Sequence, residues 1–210
     1  LTPLGAAALG GHDRCLSILL EFAANVNESF PAGGDQSTPF LMSMQMGRVN
    51  AASLLLAHRA DPWAKTQDHD SALMLACGGG YVEGVKMMLS LKADVNERNQ
   101  QAAYTPLHNA AKYGRDAVAR FLIEERAVPN AQDKDGNTAL HNAAYVGHAK
   151  IISTLVGQRA DFTIMNLSNQ TPYMIALEQQ HYDATDILSH LEQGETFSPT
   201  REDSLLFPKS

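Results

Sequence analysis

The chain has 210 residues, 44% hydrophobic and 19% charged, with a net charge of -7 at neutral pH. This supplies enough apolar material for a continuous core, yet no apolar run reaches the ~18 residues that a membrane helix needs. No segment is basic, which argues against a nucleic-acid partner and against an anionic membrane surface, since both need a Lys/Arg-rich face.

Taken in order, the chain repeats one phrase. The first unit reads Thr2-Pro3-Leu4-Gly5-Ala6-Ala7, then Gly11-His12, then the apolar Leu16, Ile18, Leu19 and Leu20, and closes with Ala24-Asn25-Val26-Asn27. The threonine suits a helix N-cap, and the proline suits the first helical position, where a missing N–H costs nothing. A glycine ends the short first helix, and the apolar run at helical spacing predicts a second. Residues 28–37 hold Pro31, Gly33 and Gly34 and are expected to form a surface loop.

The second unit, from Thr38, has Leu41 in the fourth position and methionines at 42, 44 and 46. The third, from Ser71, has Met74 at that position, and Gly78, Gly79 and Gly80 stand at the end of its first helix. Such a run leaves two readings: a fraying helix, because each mid-helix glycine costs ~1 kcal/mol against alanine, or a dip that seats a partner side chain. The fourth and fifth units carry Thr105-Pro106-Leu107-His108-Asn109-Ala110-Ala111 and Thr138-Ala139-Leu140-His141-Asn142-Ala143-Ala144. The sixth starts at Thr171 with Met174 for the histidine, and its many polar residues predict a polar end to the array. The six capping residues are spaced by 36, 33, 34, 33 and 33. Past residue 192 the period stops, and 193–210 is expected to be a non-repeat tail. Within it Ser198-Pro199 fits a proline-directed phosphorylation site. Leu205, Leu206 and Phe207 could pack on the last helix pair or act as a ligand-like segment.

A period of 33 carrying T-P-L-H-x-A resembles the ankyrin repeat over roughly residues 1–192. The resemblance implies an all-α solenoid of six helix-turn-helix units, with short β-hairpin-like turns projecting from one edge. It also implies a protein-binding module or scaffold that takes a protein or peptide segment on the concave face and turn tips. Carried over residue by residue, the binding positions at the tips include Asp68, Asp70, Tyr104, Lys134, Asp135 and Asn137. Those on the first helices include Gln45, Met46, Lys112, Tyr113 and Tyr145. Tyr104, Tyr113 and Tyr145 in adjacent units either pack on their neighbours or form an aromatic interface centre.

Chemistry finds little footing. In the family the motif histidine, here His108 and His141, bonds locally between cap and turn. His12 and His148 follow glycine in the interhelix turn and are read as structural. His69 between Asp68 and Asp70 is short of the convergent ligands that a zinc site needs. No hydrolase, zinc-protease or phosphate-loop motif occurs, so neither catalysis nor a cofactor or metal is expected. Cys15 and Cys77 fall far apart on helical positions, and Cys77 reads as buried and inert. Lone thiols fit a reducing compartment, cytoplasmic or nuclear. Because the sequence opens at Leu1 inside a repeat, a second expectation is a regulatory or targeting part of a larger enzyme or channel.

Overall fold

The computed structural model describes residues 2–29 and 37–192. The expected loop glycines and the 193–210 tail, with Ser198-Pro199 and Leu205-Leu206-Phe207, lie outside the described residues.

Twelve helices form six antiparallel pairs among the described residues. The first helices are α1 (Pro3–Gly10), α3 (Pro39–Gln45), α5 (Ala72–Gly79), α7 (Pro106–Lys112), α9 (Ala139–Val146) and α11 (Pro172–Glu178). The second helices are α2 (Asp13–Glu21), α4 (Val49–Ala57), α6 (Val82–Ser90), α8 (Asp116–Glu124), α10 (Ala149–Gly157) and α12 (Tyr182–Glu192). First helices start where the capping residue predicts. The hydroxyls of Thr2, Thr38, Ser71, Thr105 and Thr171 accept the N–H three residues on at 3.1–3.4 Å.

First helices bury the alanines at their middles: Ala7, Ala8, Ala76, Ala110, Ala111, Ala143 and Ala144. These small side chains let successive first helices pack closely, while the bulkier second helices touch more loosely. Leu16, Leu55, Val85, Leu122, Ile152 and Leu188 face back from the second helices and complete one continuous core. Unequal spacing on the two sides bends the row toward the first helices.

The turns between units are hairpin tips, and only a single bridge, Lys65 with Ser71, reaches strand pairing among the described residues. Each tip from the third onward is closed by backbone: Thr66 N to Asp70 O, Asn99 N to Tyr104 O, Asp133 N to Asn137 O and Asn166 N to Gln170 O, all 2.9–3.0 Å. Neighbouring tips join through Lys134 N to Ala102 O at 3.0 Å and Leu167 N to Asp135 O at 2.9 Å.

The helix α5 runs through Gly78 and Gly79, with Gly80 as its left-handed cap at φ 87°. One expectation changes: the last unit does not present a wholly polar end. Met174 and Leu177 of α11, and Tyr182 of α12, stay exposed. Met174 occupies the register of His108 and His141, which the following unit covers.

Candidate protein-binding surface

Tyr104, Lys112 and Tyr113 come together at the fourth unit. The Lys112 ammonium lies 5.6 Å from the Tyr113 ring centroid and 5.8 Å from that of Tyr104, a two-sided cation–π arrangement. Tyr104 is half-buried against the His108 ring, with centroids 5.7 Å apart. Burial and the nearby Asp133 and Asp135 carboxylates push its phenol above the ordinary value. Tyr113 and Tyr145 sit at the ends of consecutive first helices and are 50% and 60% exposed. Met46 and Val146, at the equivalent helix ends, are each 39% exposed, so one apolar row runs along that ledge. Gln45 stands beside Met46 and is exposed.

The tip residues divide. Asp68 and Asp135 are exposed. Lys134 is exposed as well, but its ammonium donates to the Gln100 carbonyl at 2.8 Å and also to that of Gln101. Asp70 and Asn137 link tips: Asp70 accepts from Asn99 Nδ2 at 3.1 Å, and Asn137 Oδ1 accepts from Asn166 Nδ2 at 2.9 Å. Their side chains therefore hold neighbouring units together, a pairing 29 residues apart that a reading of the tips alone does not expose.

The motif histidines do more than tie cap to turn. Thr105 N donates to His108 Nδ1 at 3.2 Å, so the ring proton sits on Nε2 and goes to the Asn137 carbonyl at 2.9 Å, in the next unit. His141 repeats this with Thr138 N at 3.1 Å and the Gln170 carbonyl at 3.1 Å. Burial holds both imidazoles below the ordinary histidine range. In the third unit Met74 cannot make this bond. There the Ser71 hydroxyl donates instead to Glu97, a carboxylate of the next unit that burial pushes upward. Burial, then the charge of Glu97, raises the neighbouring Cys77 thiol well above normal, which keeps it unreactive.

A second ladder was not anticipated. In four of the six pairs the residue opening the second helix reaches back to the last turn of the preceding unit's first helix. Arg115 Nε donates to Gly78 O at 2.9 Å, His148 Nε2 meets Lys112 O at 3.2 Å, and His181 Nε2 meets Tyr145 O at 3.1 Å. Arg48 Nε approaches Leu9 O at 3.5 Å. These groups satisfy carbonyls that a helix C-terminus leaves free, at the negative end of its dipole. They also explain the glycines Gly11, Gly80, Gly114 and Gly147 that follow four of the first helices, each lying under one of these side chains. Gly114, at φ 70°, needs left-handed freedom, and a Cβ there would come within 2.9 Å of the His148 ring.

Among the described residues no group of three His, Cys, Asp or Glu side chains could hold a metal ion. None of the described helices is long and apolar enough to cross a membrane.

Comparison with known proteins agrees with this geometry. The family model for ankyrin repeats (3 copies) matches residues 60–133 and 107–199, and the chain belongs to the ankyrin-repeat family. Before residue 60 the same capped helix pairs continue. The chain is 28% identical over 170 residues to the ankyrin repeat and KH domain-containing protein mask-1 of Caenorhabditis elegans, covering 80% of this chain and 6% of that protein. It is 29% identical over 145 residues to human ankyrin repeat and SOCS box protein 16, covering 65% and 31%. It is 31% identical over 133 residues to a probable E3 ubiquitin-protein ligase, XBOS33, of rice, covering 63% and 25%. The chain thus spans less than a third of the length of each of these relatives.

Proposed function

We propose that residues 1–192 form a binding array that takes an extended protein segment along the first-helix ledge and the tip row, with 193–210 a separate tail. The exposed apolar row carries this reading: Met46, Tyr113, Tyr145 and Val146 stand at equivalent helix ends where a soluble fold gains nothing by exposing them. Tyr104, Lys112, Tyr113 and Tyr145 supply the aromatic centre, and Gln45, Asp68, Lys134 and Asp135 a polar rim. Asp70 and Asn137 contribute by fixing the tips. The array works by recognition, without catalysis or cofactor, in the cytoplasm or nucleus, and its partner is not nucleic acid.

A second reading is that the array regulates or targets a larger protein. Matches to a ubiquitin ligase and to a nematode homologue of a transient receptor potential cation channel, each aligned over only part of its length, support it. The test of the main reading is capture of partners by the folded Tyr113→Ala/Tyr145→Ala variant beside Lys86→Ala, a second-helix change. Truncating a hot-spot tyrosine costs ~2 kcal/mol or more of affinity, so the double variant should lose its partners and Lys86→Ala should keep them. The opposite pattern places recognition on the second-helix side.

A further inference from the structure

Gly78, Gly79 and Gly80 form a side-chain-free floor in the third unit, over which side chains from neighbouring positions lie. The Tyr113 ring lies over Gly78, where a Cβ would approach it to 3.1 Å, and the Tyr81 ring lies over Gly79. Arg115 crosses this floor from the next unit. Its Nε is fixed to Gly78 O at 2.9 Å, and its side chain passes within 2.9 Å of where a Gly80 Cβ would be. Anchored through Nε, the guanidinium keeps both terminal nitrogens for a planar, two-pronged acceptor of the kind a carboxylate side chain supplies.

The surrounding charge has the matching sign. Along the ledge of units two to five, the ends of the first helices and the residues capping the second carry Arg48, Lys112 and Arg115, and the carboxylates in the first turns that follow, Glu83 and Asp116, are taken up by Lys86 and by Arg120, Lys150 and Thr154. None of these three cations forms an ion pair with a carboxylate among the described residues, where the ion pairs are Lys86–Glu83, Arg120–Asp116 and Lys150–Asp116.

We propose that the glycine floor at 78–80 is a carboxylate-recognition site. An aspartate or glutamate of an extended partner segment seats between Tyr81 and Tyr113, pairs with the Arg115 fork and has Lys112 as its second cation. The segment's apolar residues then lie on Tyr145 and Val146. This rests on the ledge-binding reading above and assigns its partner a chemistry. The glycines follow from it: any side chain on the floor would displace a ring or the arginine.

The experiment is to pan a phage-displayed random-peptide library against the whole chain, then measure synthetic winners by titration. Enriched peptides should carry one Asp or Glu beside apolar residues, and replacing it by Gln or Asn should weaken binding about fivefold or more. That loss should shrink toward nothing in Arg115→Gln and be partial in Arg115→Lys, which keeps the charge without the fork. Melting curves establish that both variants are folded. Winners without a carboxylate, or an equal acid-to-amide loss in wild type and both variants, overturn the carboxylate site. If such peptides still lose binding in Tyr113→Ala/Tyr145→Ala, the ledge reading survives alone. If no peptide is enriched, or none depends on the tyrosines, both fail.

Discussion

His108 and His141 show how much one side chain can be asked to do. Each is buried, neutral and fixed in one tautomer, accepting from its own cap and donating into the next unit. The T-P-L-H phrase made the first bond legible. The second lies 29 residues on and needs the stack to be seen. Removing either imidazole leaves buried groups unpaired, so His108→Ala or His141→Ala should each lower stability by about 1–3 kcal/mol in denaturant melts. Their depressed titration also sets a pH dependence. Above about 6.5 the imidazole is neutral both folded and unfolded. As pH falls below that, the unfolded chain takes up the proton first, and stability falls until pH passes the folded-state value. Glu97 runs the other way: raised above 4.5 when folded, it favours folding at low pH and loses that contribution as pH rises through its folded-state value. The thermal midpoint of a His108→Gln/His141→Gln variant should therefore drop less between pH 7 and pH 5 than that of the parent. Parallel curves would remove the histidines from the account.

At the level of the element, capped first helices and apolar second helices could be read directly, because cap, proline and glycine are local signals. What closes the second helices could not. Ala23, Arg59, Lys92, Arg126 and Arg159 follow them at φ 59–72°, a left-handed position held by residues with a Cβ. Such a conformation costs roughly 1–2 kcal/mol outside glycine. It persists because the preceding unit's turn fixes it: Asn96 donates to Arg126 O at 3.2 Å and accepts from Val128 N at 2.8 Å. Arg126→Gly keeps those backbone bonds and should raise stability by about 1 kcal/mol, net of the extra freedom it gives the unfolded chain. An unchanged or lower denaturation midpoint would show that the Arg126 side chain contributes more than its backbone costs. The glycine run of α5 is the converse case. Alone it reads equally as fraying or as a dip. In the structure the helix runs through Gly79, and the ring over Gly78, Tyr113, belongs to the next unit.

Over the whole molecule, each unit touches only its neighbours, so stability is set unit by unit. The third unit lacks the motif histidine and substitutes the Ser71–Glu97 contact, with two glycines inside its first helix. Units four and five keep both histidine bridges. Amide hydrogen exchange should be faster in residues 66–90 than in 105–157, and equal protection would show that the Glu97 substitute is as good as the imidazole.

The bridges between units also have a direction. The buried imidazole of one unit donates forward into the next tip, and the carbonyl ending its first helix accepts from the next unit's opening residue. A unit is therefore chemically closed by its successor. Losing a predecessor strands mostly exposed groups that water can satisfy, whereas losing a successor strands a buried ring. On the ribosome, where the amino end emerges first, units four and five have their buried imidazoles fully bonded only once the following unit's tip is in place.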